Sequence, residues 1–181
     1  MKVHPNPAID IAVVDISNFR QDPDVMTFSI QKSFFMSLAE TQKYLTYGSH
    51  VFTIGYPQGL KNLKTNQPLV KSAFISSSLD GQLTMKQSWK NRNGQMRSTL
   101  TDGKIFIIDG MIIPGNSGGP VIMPQEVRWF MVNGQLKHSL PMYNFIIGIV
   151  SNIYANTGLT VVFSTDHIQE VIDEFPALSQ K

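Results

Sequence analysis

The sequence predicts an all-β domain: a barrel of short strands with one helix packed on its outside. Three observations carry this expectation. Short segments rich in β-branched and aromatic residues recur between turn residues. Three pairs, Asp80-Gly81, Asn93-Gly94 and Asn133-Gly134, have the composition of two-residue type I′ hairpin turns. A single helical period stands near the C-terminus.

Residues 9–16 read Ile-Asp-Ile-Ala-Val-Val-Asp-Ile, apolar at both alternations, which predicts a strand covered on both faces. Pro5 and Pro7 impose an extended approach to it. Asp10 shares a face with Ala12, Val14 and Ile16, where a buried carboxylate without a partner is costly. It therefore sits either at an exposed strand end or beside a specific partner. Residues 17–24 form a polar loop, and the stretch to Tyr47 has no clean period; Phe34, Phe35 and Leu38 fit a strand or a helical turn.

Residues 48–57 alternate and close on Gly and Pro, a strand followed by a turn, and residues 68–77 give the next strand. Lys86, Lys90, Arg92 and Arg97 are loosely spaced in a polar stretch that reads as a solvated loop. Asn133-Gly134 joins a strand at 127–132 to one at 135–139, and further strands are expected at 104–109, 121–123, 144–151 and 159–164. Ile168, Val171, Ile172 and Phe175 then recur at helical spacing. Thr165 and Asp166 precede them as cap candidates, Asp166 with Gln169 fits a capping box, and Pro176 stops the helix.

Composition narrows the function classes. Length allows one sizeable domain or two small ones sharing an interface. With 42% hydrophobic and 15% charged residues the chain folds rather than staying disordered. A net charge of +2 without a Lys/Arg run argues against nucleic acid as a partner. The absence of cysteine excludes disulfides and a cysteine-ligated zinc site, and the four histidines lack metal-ligand spacing, so no cofactor is expected. No apolar run reaches the ~18 residues of a spanning helix, and the first residues carry no signal-peptide pattern.

The candidate site is Pro114-Gly115-Asn116-Ser117-Gly118-Gly119-Pro120, set between two apolar runs. One reading is a polar turn, since these are ordinary turn formers. The other is an acyl-transfer loop that presents one hydroxyl and bare backbone, whose N–H groups stabilise a developing oxyanion. The string is longer than a plain hairpin connection requires. As an anion nest for phosphate it lacks the lysine and following helix of a P-loop.

In these residues the chain resembles the trypsin-like (chymotrypsin-fold) serine proteases, particularly the cysteine-free bacterial branch that includes the HtrA-type enzymes. The matching stretches, in the family's order, are residues 10–14, residues 51–57 with Gly59, the Gly-Asn-Ser-Gly-Gly-Pro string at 115–120, and Gly148-Ile149-Val150-Ser151. Residues 158–173 resemble the family's last strand and helix. The resemblance implies a double β-barrel fold, with residues 1–47 closing the N-terminal barrel and linking the two. Residues 48–164 would be the C-terminal barrel, and residues 165–181 the helix and tail.

It further implies Ser117 as nucleophile, Asp10 as the carboxylate orienting a histidine, and the Gly115 and Ser117 N–H groups as oxyanion hole. Met111, Ile112 and Ile113 would approach the specificity pocket, and the backbone of Ile149, Val150 and Ser151 would pair with a peptide or protein substrate. Met111 at the pocket base, in place of a carboxylate, favours apolar or small P1 side chains.

The family's histidine should precede the Asp by some tens of residues. Only His4 precedes Asp10, and it reads as part of the approach to the Asp strand; His50, His138 and His167 read as ordinary surface or half-buried residues. Either a preceding segment supplies the first strands and the base, or the chain is a shortened relative that has lost catalysis. Both imply feeble hydrolysis by this chain alone and unpaired strand edges that would pair with a second copy. The two functions in play are a serine endopeptidase and an inactive homologue that binds peptide.

Overall fold

The structure is a computed structural model describing residues 1–16, 30–81, 83–90, 93–126, 128–139, 144–154 and 157–174. In chain order the strands are β1 (Lys2–Val3), β2 (Ala12–Val13), β3 (His50–Gly55), β4 (Leu69–Ile75), β5 (Thr84–Lys90) and β6 (Met96–Asp102). They continue as β7 (Ile105–Asp109), β8 (Pro120–Met123), β9 (Arg128–Val132), β10 (Gln135–Ser139), β11 (Phe145–Ile153) and β12 (Leu159–Ser164). Two helices, α1 (Leu38–Thr41) and α2 (Thr165–Asp173), complete the set.

Six strands close an antiparallel barrel in the order β11-β12-β7-β4-β3-β8. This closed barrel with its C-terminal helix is the all-β architecture expected, and it is the one closed barrel among the described residues. Strand alternation sends Val51, Ala73, Phe106, Ile108, Val121, Ile147, Val150 and Val162 inward to one core. Met36, Leu38 and Leu45, from the stretch expected to be linker, join that same core.

The outward residues of β7 and β12 are also buried. Ile105, Ile107, Val161 and Phe163 pack under Ile168 and Val171 of α2 and under Ile9 and Ile11. That double coverage explains why Ile-Phe-Ile-Ile on β7 is continuously apolar. Each such side chain contributes roughly 1.5–3 kcal/mol on burial, so α2 and residues 9–11 are held by the same hydrophobic layer.

Several expectations are corrected. The strand over residues 9–16 shortens to Ala12–Val13, paired only with Lys2–Val3, and Val14 and Ile16 are exposed. One face of it is covered, not two: Ile9, Ile11 and Val13 turn toward α2 and the barrel, while Asp10, Ala12 and Val14 are exposed. The basic polar stretch is not a loop: β5 and β6 form a seven-pair ribbon across Asn93-Gly94. Asp80-Gly81 joins β4 to β5, which lie in different sheets, so it is a bend and not a hairpin.

Asn133-Gly134 does form the β9–β10 turn, with φ of 51° and 75°. Phe34 falls in a one-turn 3-10 helix, Lys32–Phe34, Phe35 bridges to Ile146, and Leu38 opens α1. The N-cap of α2 is Ser164, and the predicted caps serve tertiary contacts instead. Thr165 Oγ1 donates to the Met36 carbonyl at 2.6 Å, and the Asp166 carboxylate accepts the Leu38 N–H at 2.7 Å. Val127, Phe175 and Pro176 lie outside the described residues.

Candidate functional site

The 114–120 loop leaves β7 through Gly110 and enters β8 at Pro120, with main-chain bonds on two sides. Tyr56 N–H donates to Gly115 O at 3.1 Å, and Gln58 N–H to Pro114 O at 2.7 Å. Across the loop, Gly118 N–H donates to Val150 O at 2.8 Å, and Val150 N–H to Gly119 O at 2.9 Å. The end of β3 and the middle of β11 therefore clamp the loop between them.

This clamp explains the glycines. A Cβ on Gly115 would lie 2.2 Å from Tyr56 O, and one on Gly119 would lie 2.1 Å from Ile54 O. Gly115 also has φ +99°, which disfavours any side chain. These two are demanded by the barrel's own backbone and not by an approaching ligand. Asn116 is fully buried and seats its side chain on Gly55, with Nδ2 donating to Ile113 O at 2.9 Å. Its Oδ1 and the neighbouring Ser151 Oγ are buried without hydrogen-bond partners.

Ser117 is exposed at the loop's tip, and its Oγ donates to Ser151 O at 3.1 Å. Among the described residues, the Gly115 and Ser117 N–H groups have no acceptor. One hydroxyl and two free main-chain donors thus share a rigidly held turn. No histidine contacts that hydroxyl.

The other site candidates are distributed as follows. Met111 is exposed and its carbonyl accepts from Lys71 Nζ, Ile112 is buried in the barrel core, and Ile113 is half-buried. Ile112 can offer a ligand only its backbone. On β11, Ile149 is flanked by Phe163 and Pro120, and Val150 by Val162 and the loop. Their backbones are enclosed within the barrel, so neither can pair with an added strand. Pairing with β8 ends at Ile149, while pairing with β12 continues past a register shift to Ile153. Among the described residues, a free edge on the β8 side thus begins at Ser151.

Asp10 is exposed, and its carboxylate has no hydrogen-bond or ion-pair partner among the described residues. It lines a groove of about 790 Å³ together with Thr101 and Asn152. Asn152 directly follows the residue that accepts from Ser117.

Three charged or titratable groups missed in the sequence gather beneath the N-terminal segment. Glu170 Oε2 lies 2.8 Å from His4 Nε2 and 2.9 Å from His167 Nδ1. Both rings are buried, and they meet edge to face at 5.1 Å. On the far sides, His4 Nδ1 accepts the Asn6 N–H at 3.1 Å and His167 Nε2 accepts the Lys104 N–H at 3.2 Å. A main-chain N–H can only donate, so each far nitrogen is bare and each near nitrogen carries the proton to Glu170.

The near atoms of these three residues lie within 4.8 Å of one another, a span open to a metal. The tautomers oppose it: ligation needs bare near nitrogens, which would turn both far N–H groups against main-chain donors. Burial opposes ionisation of Glu170, but donation from His4 and His167 brings its pKa down to about 2. Burial holds His167 below the ordinary histidine value, against the pull of Glu170. Burial would raise Asp166, yet the Leu38 N–H and Lys104 hold it below the carboxylate range. The His4–Glu170 contact joins residues 166 apart, which no local spacing announces.

His50 Nε2 contacts Ser72 Oγ, with Glu126 near Nδ1, and His138 pairs in register with Trp129 on the β9–β10 ribbon. The four histidines are thus committed to other parts of the molecule.

No protein-family model matches this chain, and no curated protein matches it in sequence. Among solved structures it is similar to the Rv3671c protease from M. tuberculosis in its active form, with 16% identity and a TM-score of 0.41. The match covers 74% of this chain and 45% of that one, so the chain spans less than half of that protein's length. At that degree of likeness the chemistry of this chain has to be argued from its own residues.

Proposed function

We propose that this chain is the nucleophile-bearing barrel of a serine endopeptidase of the trypsin-like kind. The observation that carries the reading is the exposed Ser117 hydroxyl on a clamped turn beside two N–H groups without acceptors. Ser117 Oγ attacks the scissile carbonyl carbon, its proton passes to a general base, and the carbonyl oxygen becomes an oxyanion held by the Gly115 and Ser117 N–H groups. Collapse expels the amine, which takes up that proton, and leaves an acyl group on Ser117 for water to remove.

The base is a histidine other than the four in this sequence, oriented by Asp10, whose carboxylate faces the groove unpartnered. A peptide strand would pair along the free edge from Ser151 to Ile153, where β11 leaves β8. The exposed loop carrying Met111 would receive an apolar or small P1 side chain.

Prolonged exposure to a fluorophosphonate, read by intact-protein mass, is expected to show slow single addition that Ser117→Ala removes. Addition undiminished in Ser117→Ala would overturn the reading. One observation favours a second reading, a non-catalytic peptide-binding module: Ser117 Oγ is engaged by a main-chain carbonyl and by no imidazole. On that reading a fluorophosphonate leaves the chain unmodified, while extended peptides bind the wild type and Ser117→Ala equally.

A further inference from the structure

We infer that His4, His167 and Glu170 form an acid-labile latch that holds the N-terminal segment, and with it Asp10, against the C-terminal helix. The latch stands on its own hydrogen bonds; only its consequence for Asp10 rests on the peptidase reading.

Each histidine uses both ring nitrogens, one accepting a main-chain N–H and the other donating to Glu170 Oε2. An imidazolium has two N–H groups and no acceptor. A proton added to His4 must therefore point Nδ1–H at the Asn6 N–H from 3.1 Å, and one added to His167 must point Nε2–H at the Lys104 N–H from 3.2 Å. Neither ring can turn to escape: both are buried, packed edge to face, and His167 also lies edge-on to Phe163 at 5.9 Å. A Cβ on Gly103 would stand 3.1 Å from His167 Nε2, so this backbone is already close.

The surrounding charges are Glu170 and Asp166 on α2 and the Lys104 ammonium, which lies 3.3 Å from Glu170 and 3.2 Å from Asp166. The two carboxylates outnumber the lysine by one charge. Glu170 therefore attracts a first proton to the cluster, while burial and the two opposed main-chain donors resist it. For His167 burial prevails and the ring stays neutral below its ordinary range. Opening the segment lifts the His4 ring from His167 and hydrates the His167 imidazole, which then takes up a proton more readily, so acid favours the open form.

Within the segment, β1 and β2 share two residue pairs and His4 N–H donates to Ile11 O at 2.9 Å, while Ile9 and Ile11 rest on α2. Asp10 lies between Ile9 and Ile11, so release of the segment parts the carboxylate from Thr101 and Asn152, which line the groove with it. The device would confine full placement of Asp10 to neutral and alkaline conditions.

The test is amide hydrogen exchange across pH 5 to 8, corrected for intrinsic exchange, comparing residues 1–13 with β7 and β12. Protection of the segment is expected to fall below about pH 6.5, by up to about tenfold per pH unit for each proton taken up on opening, while the barrel strands hold. A slope of one proton is expected, from His167. His167→Gln is expected to flatten that slope, and Glu170→Gln to leave the segment open at pH 8. Protection independent of pH, a barrel that opens in parallel, or a His167→Gln variant with the wild-type slope would each overturn the latch. Since exchange requires no turnover, failure of the peptidase reading would leave this result untouched.

Discussion

The loop at residues 114–120 and the segment at residues 1–13 are both largely irregular chain laid on the barrel, and different forces hold them. The loop is clamped by four main-chain hydrogen bonds to Tyr56, Gln58 and Val150, around two glycines, Gly115 and Gly119, that admit no side chain. The segment is held by two strand pairs, two isoleucines and a cluster of titratable side chains. Main-chain bonds between neutral groups do not titrate, whereas a histidine–carboxylate cluster does. The loop that carries Ser117 is therefore set independently of pH, and the segment that carries Asp10 is set conditionally.

The largest expected effect would break the rigid side of the contrast. Gly119→Ala places a Cβ 2.1 Å from Ile54 O, inside the barrel seam. It should cost about 3 kcal/mol, the upper end of overpacking effects, with loss of the loop's clamp. Urea midpoints would measure the cost, and Gly118 and Val150 amide exchange would locate it. Next, Ile9→Ala should destabilise the N-terminal segment by about 2 kcal/mol and leave Gly118 and Val150 protected. Equal loss at both places would show that the two regions are one cooperative unit.

A smaller effect follows from pH. His167 is depressed when folded, so its neutral form is fully favourable above the unfolded value of 6.5 and stability declines as pH falls below it. Glu170 is depressed from 4.5 to about 2, so its contribution is present above 4.5 and is lost as pH falls toward 2. Thermal melts should therefore show stability dropping in two steps on acidification, with the first step missing in His167→Gln. The smallest effect is Ser117→Ala, which removes an exposed hydroxyl and should change stability by less than about 0.5 kcal/mol while abolishing fluorophosphonate addition.

How far the sequence could be read differs between these two regions for the same reason. Ser117 and its glycines are contiguous, so their pattern is visible as a string, although their roles are not. From the string, Gly115 and Gly119 looked like bare backbone for a visitor; Tyr56 O and Ile54 O are what exclude their side chains. His4 and His167 looked unrelated because nothing within ten residues of either points to the other.

The sequence alone determined the six barrel strands, the barrel's C-terminal helix and the candidate Ser117 loop, since period-two and period-3.6 patterns and turn residues act over a few positions. Tertiary structure decided which apolar strands are covered twice: β7 and β12, under α2 and residues 9–11, and not residues 9–16. It decided that the free edge of β11 starts at Ser151 and not Ile149, and that the two buried histidines share one carboxylate. These depend on which surfaces meet when the barrel closes, and closure joins residues too distant for any local pattern to record.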